Sequence, residues 1–229
     1  MITGTVVNTA AVVAGTVLGL TVGKRVKEEH KDGVIKAMGL AVIVLGIKMA
    51  FEEHDFFPVI VSIVIGTFIG ELADIEGKLE GVGERIKKRM GSDSSTFVLG
   101  FVTASVLFCV GSLTIIGCIK DGLMNDPSVL YVKSLLDGVS SMILASMLGV
   151  GVIFSAVIIF VYQGLLSLLA FNLRFLLDEP VYMNGISVVG GVLIVGIGIS
   201  MTGIMRFKSA NMLPALFIIP LYDYLAGIL

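Results

Sequence analysis

Charge is scarce in this chain. Only 15% of its 229 residues are charged and 56% are hydrophobic, with a mean hydropathy of +1.01. Soluble domains sit near about 25% charged and about 45–50% apolar. The shortage therefore excludes an ordinary soluble domain and points to repeated membrane spans. Cysteine is scarce too. Cys109 and Cys118 lie nine residues apart on one expected helix, which is about two and a half turns and puts them on opposite faces. Neither belongs to a CxxC-type cluster, and His30 and His54 are far from both in sequence. That pattern excludes zinc, haem and iron–sulfur sites, so no cofactor and no metal is expected. GxSxG, HExxH and Walker-type loops are missing as well. No catalytic residue is assigned, and the chain is not read as an enzyme. An ATP-driven pump needs a nucleotide domain, and the longest polar interval, Glu71–Ser95, is too short for an independent core.

What is present is a series of apolar runs. A helix needs roughly 20 residues to cross the hydrocarbon core, so about seven or eight spans fit. The expectation is one all-α, polytopic integral membrane bundle over residues 1–229. The runs fall at about Thr3–Val22, Val34–Phe51, Phe57–Gly70, Thr96–Cys118, Val139–Tyr162, Ile186–Ile204 and Asn211–Ile228. Gly164–Leu177 is short for a span and carries Asn172 and Arg174. The first run has no basic stretch before it and no cleavage-type site, so it is expected to be a retained span. In it Gly4, Asn8, Ala11, Gly15 and Gly19 share one helical face, which invites close approach by another helix. Asn8 on that face either bonds a neighbouring helix or lines a solute path.

Polar segments organise the rest. Residues 71–95 read as a cytoplasmic amphipathic helix against the membrane, with a stripe of Leu72, Ile75, Leu79, Val82 and Ile86. Its tail, Arg85, Lys87, Lys88 and Arg89, is a basic cluster, so that helix and basic loop together fill 71–95. No aromatic or glycine-rich reading element accompanies these charges, so nucleic acid is not an expected partner. Charge gathers again at Lys120, Asp121, Asp126, Lys133 and Asp137. Asp126-Pro127 is a good helix start. A helix from Pro127 through Phe160 would be about 50 Å long at 1.5 Å per residue, too long for one span, and Gly138 is the natural break. Residues 119–138 are therefore expected to hold a short extracytoplasmic or re-entrant helix, with Lys133 and Asp137 paired four apart. Elsewhere the ionisable residues fall toward span ends, where their cost is low.

With eight spans both termini lie outside, and twelve of the sixteen basic residues fall in inside loops. Arg206 and Lys208 decide that count. Gly39-x6-Gly46-Ile47-Lys48-Met49 also aligns with Gly191-x6-Gly198-Ile199-Ser200-Met201. In an eight-span chain these helices run in opposite directions, as an inverted repeat requires.

Several blocks carry a family resemblance. GFVTASVLFCVGSLTIIG from Gly100, then DGL, KSLLDG and YQGLLSLLA, resemble signature blocks of the YqgA/YdfK-like prokaryotic membrane family, domain of unknown function 554. GTVVNTAAVVAGTVLGLTVGKR, IGTFIGELADIEGKLE and SANMLPAL extend the resemblance to nearly the whole chain. The resemblance implies a multi-pass protein of the cell membrane that acts as a transporter or channel for a small ion or polar solute. Membrane-embedded polar groups near proline-broken helices suit the same reading. Family blocks and residue chemistry together single out Asn8, Glu71, Ser112, Thr114, Asp121, Lys133, Asp137, Gln163 and Asn211 as pathway candidates. Ser112 and Thr114 can serve an ion or bond back to helix carbonyls. The family pattern has proline or alanine then methionine at Ser112–Leu113, which weakens the case for the Ser112 hydroxyl. The alternatives are an accessory or assembly protein without transport, and a membrane-embedded enzyme with an unrecognised site. Besides the lipid bilayer, the expected partner is a second copy of the chain. A homodimer or larger assembly would form through glycine-rich faces of the first or seventh span.

Overall fold

In hydrocarbon a backbone must satisfy its own hydrogen bonds, so long apolar runs close into helices. A computed structural model describes residues 2–23 and 28–228, with backbone alone at 28, 29, 31, 227 and 228. Lys24, Arg25 and Lys27, basic residues expected in the inside loop after the first span, lie outside the described residues. The helices are α1 Thr3–Gly23, α2 Glu28–Ala50, α3 Phe56–Ala73, α4 Ile75–Arg89, α5 Phe97–Cys109 and α6 Ser112–Met124. They continue with α7 Ser128–Leu148, α8 Ser155–Leu168, α9 Ala170–Leu173, α10 Pro180–Thr202 and α11 Ala215–Ile228. Single 3-10 turns occupy Val150–Phe154, Arg174–Leu177 and Ser209–Met212, and no strand occurs among the described residues. Six helical stretches are long and apolar enough to span a membrane, and the α5–α6 pair, bent by 62°, makes a seventh. The chain is an all-α polytopic membrane bundle.

The breaks differ from those expected. Gly138 does not interrupt its helix, because α7 runs unbroken past it; a Cβ there would meet Ala11 at no less than 3.3 Å. The interruption comes at Gly149, whose φ of 82° lies in the left-handed region that glycine tolerates. The stretch 128–168 therefore holds two spans, α7 and the 3-10 turn with α8. The short helix expected within 119–138 is the end of α6 and the first half of α7. Gly164–Leu177 is not a separate span either; it is the end of α8 followed by two single turns. The run Thr96–Cys118 is broken at Val110–Gly111, where Gly111 has φ 116°. The Thr114 hydroxyl donates to the Phe108 carbonyl at 3.4 Å across this break. Cys109 and Cys118 consequently sit on different helices, both buried and both free.

The residues cluster in two compact units: Met1–Ile35, Leu79–Cys109 and Leu113–Leu173 form one, and Lys36–Lys78, Val110–Ser112 and Arg174–Leu229 the other. In the first, α1 lies along α7. Gly15 bears on the Gly138 carbonyl, Gly19 on Met142 and Gly23 on Ser146, so the two helices run parallel. The bent pair runs the opposite way beside α7. Thr96, just before α5, donates to the Leu148 carbonyl at the end of α7. Gly117 of α6 lies against Leu130 in the first turn of α7. The pair therefore travels the length of α7 as one broken span, not a hairpin that returns.

The second unit is built around α10, which starts with Pro180 at its first turn and ends at Gly203 in the left-handed conformation. Gly46 meets the Gly191 carbonyl and Gly39 the Gly198 carbonyl, so α2 lies antiparallel to it. Packed antiparallel, α3 and α11 meet where Gly66 and Gly70 face Ala215 and Asn211.

Candidate functional site

Three charged side chains lie inside the first unit. Asp121 is fully buried, and Lys133 and Asp137 are 5% and 7% exposed. Glycine spacing on α1 creates the place. Gly4 admits Leu130 against the helix backbone, and the ladder from Gly15 to Gly23 holds α1 and α7 in register. Asn8, on the same face, then meets Asp137: its amide Nδ2 donates to Oδ2 at 2.9 Å. The Lys133 ammonium, one turn earlier on α7, donates to the same oxygen. Asp137 stands nine residues into a 21-residue helix. That is about 14 Å from its start, near the middle of the span. The sequence led us to expect ionisable residues only toward span ends; unbroken α7 carries this pair inward.

Asp121 approaches from α6 and accepts the Gly4 backbone N–H at 2.9 Å on Oδ2. A carboxylate at this position caps the free N–H groups and positive end of α1. Its other oxygen, Oδ1, is buried and has no protein partner. The Asn8 Oδ1, the Thr5 hydroxyl, both amide atoms of Gln163 and the Tyr162 hydroxyl are in the same condition. Thr5 and Gln163 are fully buried. Such atoms normally find a partner in protein, water or a bound species. The interior of the first unit thus holds one ammonium, two carboxylates and several buried polar atoms without a protein partner.

The nine candidates separate. Asn8, Asp121, Lys133 and Asp137 come together, and Gln163 is on α8, which packs against α1. Thr114 bonds back across the α5–α6 break, while Ser112 accepts the Ser187 hydroxyl at 2.7 Å in the second unit. Glu71 is exposed and pairs with Lys208 at 3.4 Å. Asn211 is structural: its Oδ1 accepts the Glu76 N–H at 2.7 Å, and the Glu76 carboxylate accepts the Ala210 N–H at 2.9 Å. That exchange ties the turn before α11 to the start of α4.

Sequence reasoning missed Thr5, Glu76 and the His54–Asp223 pair. Thr5 shares the Asn8 face three residues earlier and was legible from spacing. The His54 ring, at 2.9 Å from Asp223, is 169 residues away from it and leaves no local signal. No group of three His, Cys, Asp or Glu that could hold a metal occurs among the described residues.

Comparison with known proteins agrees with the architecture. A family model described as "Protein of unknown function (DUF554)" matches residues 3–224. The chain is 35% identical to "Uncharacterized membrane protein YdfK" of Bacillus subtilis (strain 168) over 222 residues, 95% of this chain and 93% of that one. It is 31% identical to "Uncharacterized protein YqgA" of Escherichia coli (strain K12) over 225 residues, covering 95% and 94%. No solved structure matches. With its fold, its span pattern and this full-length match in agreement, the chain belongs to the DUF554 family of membrane proteins.

Proposed function

We propose that this protein is a transporter or channel of the cell membrane for a small ion or polar solute, with its path through the interior of the first unit. The buried Asn8–Asp137–Lys133 cluster carries this reading. A mid-span ion pair gives no net stability over apolar packing, and an intramembrane ionisable residue is by default a functional candidate. In this reading the driving force is the solute's own gradient or a coupled ion.

The α2–α10 pair supports an inverted repeat. Aligning Gly39 with Gly191 also aligns Ile43 with Val195, Gly46 with Gly198 and Ala50 with Thr202. The contacts obey the same exchange. Gly39 meets Gly198 and Thr202, while Gly191 meets Gly46 and Ala50; Gly46 meets Val195, while Gly198 meets Ile43. Any antiparallel pair packs with a local two-fold of this kind; the support for a repeat is that glycine falls on glycine in it, and inverted repeats are common in secondary transporters.

Helix direction supports the topology. Parallel α1 and α7 require an odd number of crossings between them, met by α2, α3 and the α5–α6 pair. Adding α8, α10 and α11 gives eight, with both termini on one side, and the basic residues place that side outside. Single cysteines at Asp178 and Lys208, in a background lacking Cys109 and Cys118, should then be labelled from opposite faces. Labelling from one face would end the eight-span scheme.

Flux of small ions and polar solutes in proteoliposomes tests the function itself. Flux that Asp137→Asn reduces sharply is the expected result. A folded protein with no flux for any solute would favour the accessory or assembly role. The glycine faces of α1 and α10, expected to receive a second copy, are filled within one chain by α7 and α2, so a homo-oligomer would have to use other surfaces.

A further inference from the structure

We infer that the first unit binds a monovalent cation where α1, α6 and α7 meet, on the free oxygens of Asp121, Thr5 and Asn8. This deepens the transport reading and rests on it for the role of the cluster. Charge points to the ligand first. Lys133 and Asp137 neutralise each other. Among the described residues, Asp121 is met by the positive end of α1, equivalent to about half a charge. Among the described residues the cluster is thus left negative by less than one full charge. A monovalent ion leaves the cluster about half a charge positive, a divalent ion about one and a half.

Donor chemistry points the same way. Asp121 Oδ1, the Thr5 hydroxyl and Asn8 Oδ1 are all buried oxygens without a protein partner. Thr5 follows Gly4, whose N–H holds Asp121, and lies three residues before Asn8, whose amide holds Asp137. All three are thus held at the first two turns of α1. A purely structural Asp121 would cap α1 with one oxygen and leave the other buried and unmet, at a cost. The Thr5 hydroxyl is buried without a partner, whereas one turn on the Thr9 hydroxyl donates to the Thr5 carbonyl at 2.8 Å. Hard oxygen donors with one carboxylate suit an alkali cation. Transition metals lack ligands here, since no three His, Cys, Asp or Glu gather among the described residues.

The test uses the full chain purified in detergent, unfolded thermally in sodium, lithium, potassium or choline chloride at one ionic strength and pH. At least one alkali cation should raise Tm saturably above choline. Thr5→Val, which keeps the shape and removes the oxygen, should weaken the apparent affinity by about tenfold. Asp121→Asn should abolish the response, and Asp126→Asn should keep it. Equal Tm in all four salts would overturn the site, as would wild-type affinity in Thr5→Val. Should Asp121→Asn fail to fold, Thr5→Val alone decides. A Tm that follows pH but ignores the cation would overturn it in favour of a proton on Asp121. Cation-dependent stability without flux leaves the site and removes transport; flux with no cation effect does the reverse.

Discussion

Two pairs of helices in this molecule are built on the same device. In α1–α7 and in α2–α10, glycines spaced along one face bring a backbone carbonyl of the partner to where a Cβ would be. The pairs otherwise differ. The α1–α7 pair is parallel and carries Asn8, Lys133 and Asp137 in its contact. The α2–α10 pair is antiparallel and self-reciprocal, and the residues that meet its glycines are Ile43, Ala50, Val195 and Thr202. Close approach is thus a scaffold property, shared by both. Chemistry enters through the few polar side chains set beside the glycines, and only one pair has charge there. Glycine spacing in a sequence marks where helices meet. It does not mark where a site is.

The largest effect should come from destroying the close approach itself. A Cβ on Gly19 would fall on the Met142 carbonyl, and one on Gly46 would lie 2.6 Å from the Gly191 oxygen. Gly19→Val and Gly46→Val should each cost about 3 kcal/mol or more, seen as lost monodisperse yield and a lowered Tm. Gly33→Val, with nothing within 4 Å of its Cβ, is the control. Tolerance of both Gly19→Val and Gly46→Val would mean that neither ladder holds its pair together.

The next change separates the pairs. Asp137→Asn leaves the Lys133 ammonium buried without its counter-charge, and removing one partner of a buried pair costs on the order of 3–5 kcal/mol. Replacing both, Lys133→Met with Asp137→Leu, should restore most of that stability, because the ladder beneath is untouched. Flux in proteoliposomes should remain lost. A double-mutant cycle on Tm and on flux measures the divergence. Recovery of flux together with stability would make the ion pair a scaffold element like the glycines.

How much of this was legible follows from what each feature depends on. Apolar length fixes helix existence, so α1, α3 and α10 lie where hydropathy puts them. The glycine face of α1 was readable because 3.6-residue periodicity is local. Breaks were not. Gly138 and Gly149 are both glycines in an apolar stretch; which one departs from helical geometry depends on Gly15 of α1 packing on the Gly138 carbonyl and on the chain turning at Gly149. That one choice moved Lys133 and Asp137 from a short extracytoplasmic or re-entrant helix to the middle of α7. Pairing at long range was equally hidden. Asp121 was a candidate by its setting, yet nothing in the sequence ties it to the Gly4 amide 117 residues away.

The smallest effect should come from Asp126, the carboxylate just outside α7. It accepts the Ser128 backbone N–H at 3.1 Å. The Ser128 hydroxyl and amide hold its carboxyl below the ordinary value. A depressed folded value means that this group stabilises the fold above its unfolded value, and that the contribution fades as pH falls through the folded one. Asn is as good a cap as Asp and does not titrate. Asp126→Asn should therefore leave Tm at neutral pH within error of wild type, and it should flatten only the acid limb of the Tm–pH curve. Asp137→Asn differs by the same atoms, an oxygen for an NH2, yet it acts on a group 7% exposed that holds both an ammonium and an amide. Depth in the bundle is then the variable that separates the two. Equal small losses of Tm and of flux from both substitutions would place Asp137 with Asp126, as helix-end chemistry with no path beside it.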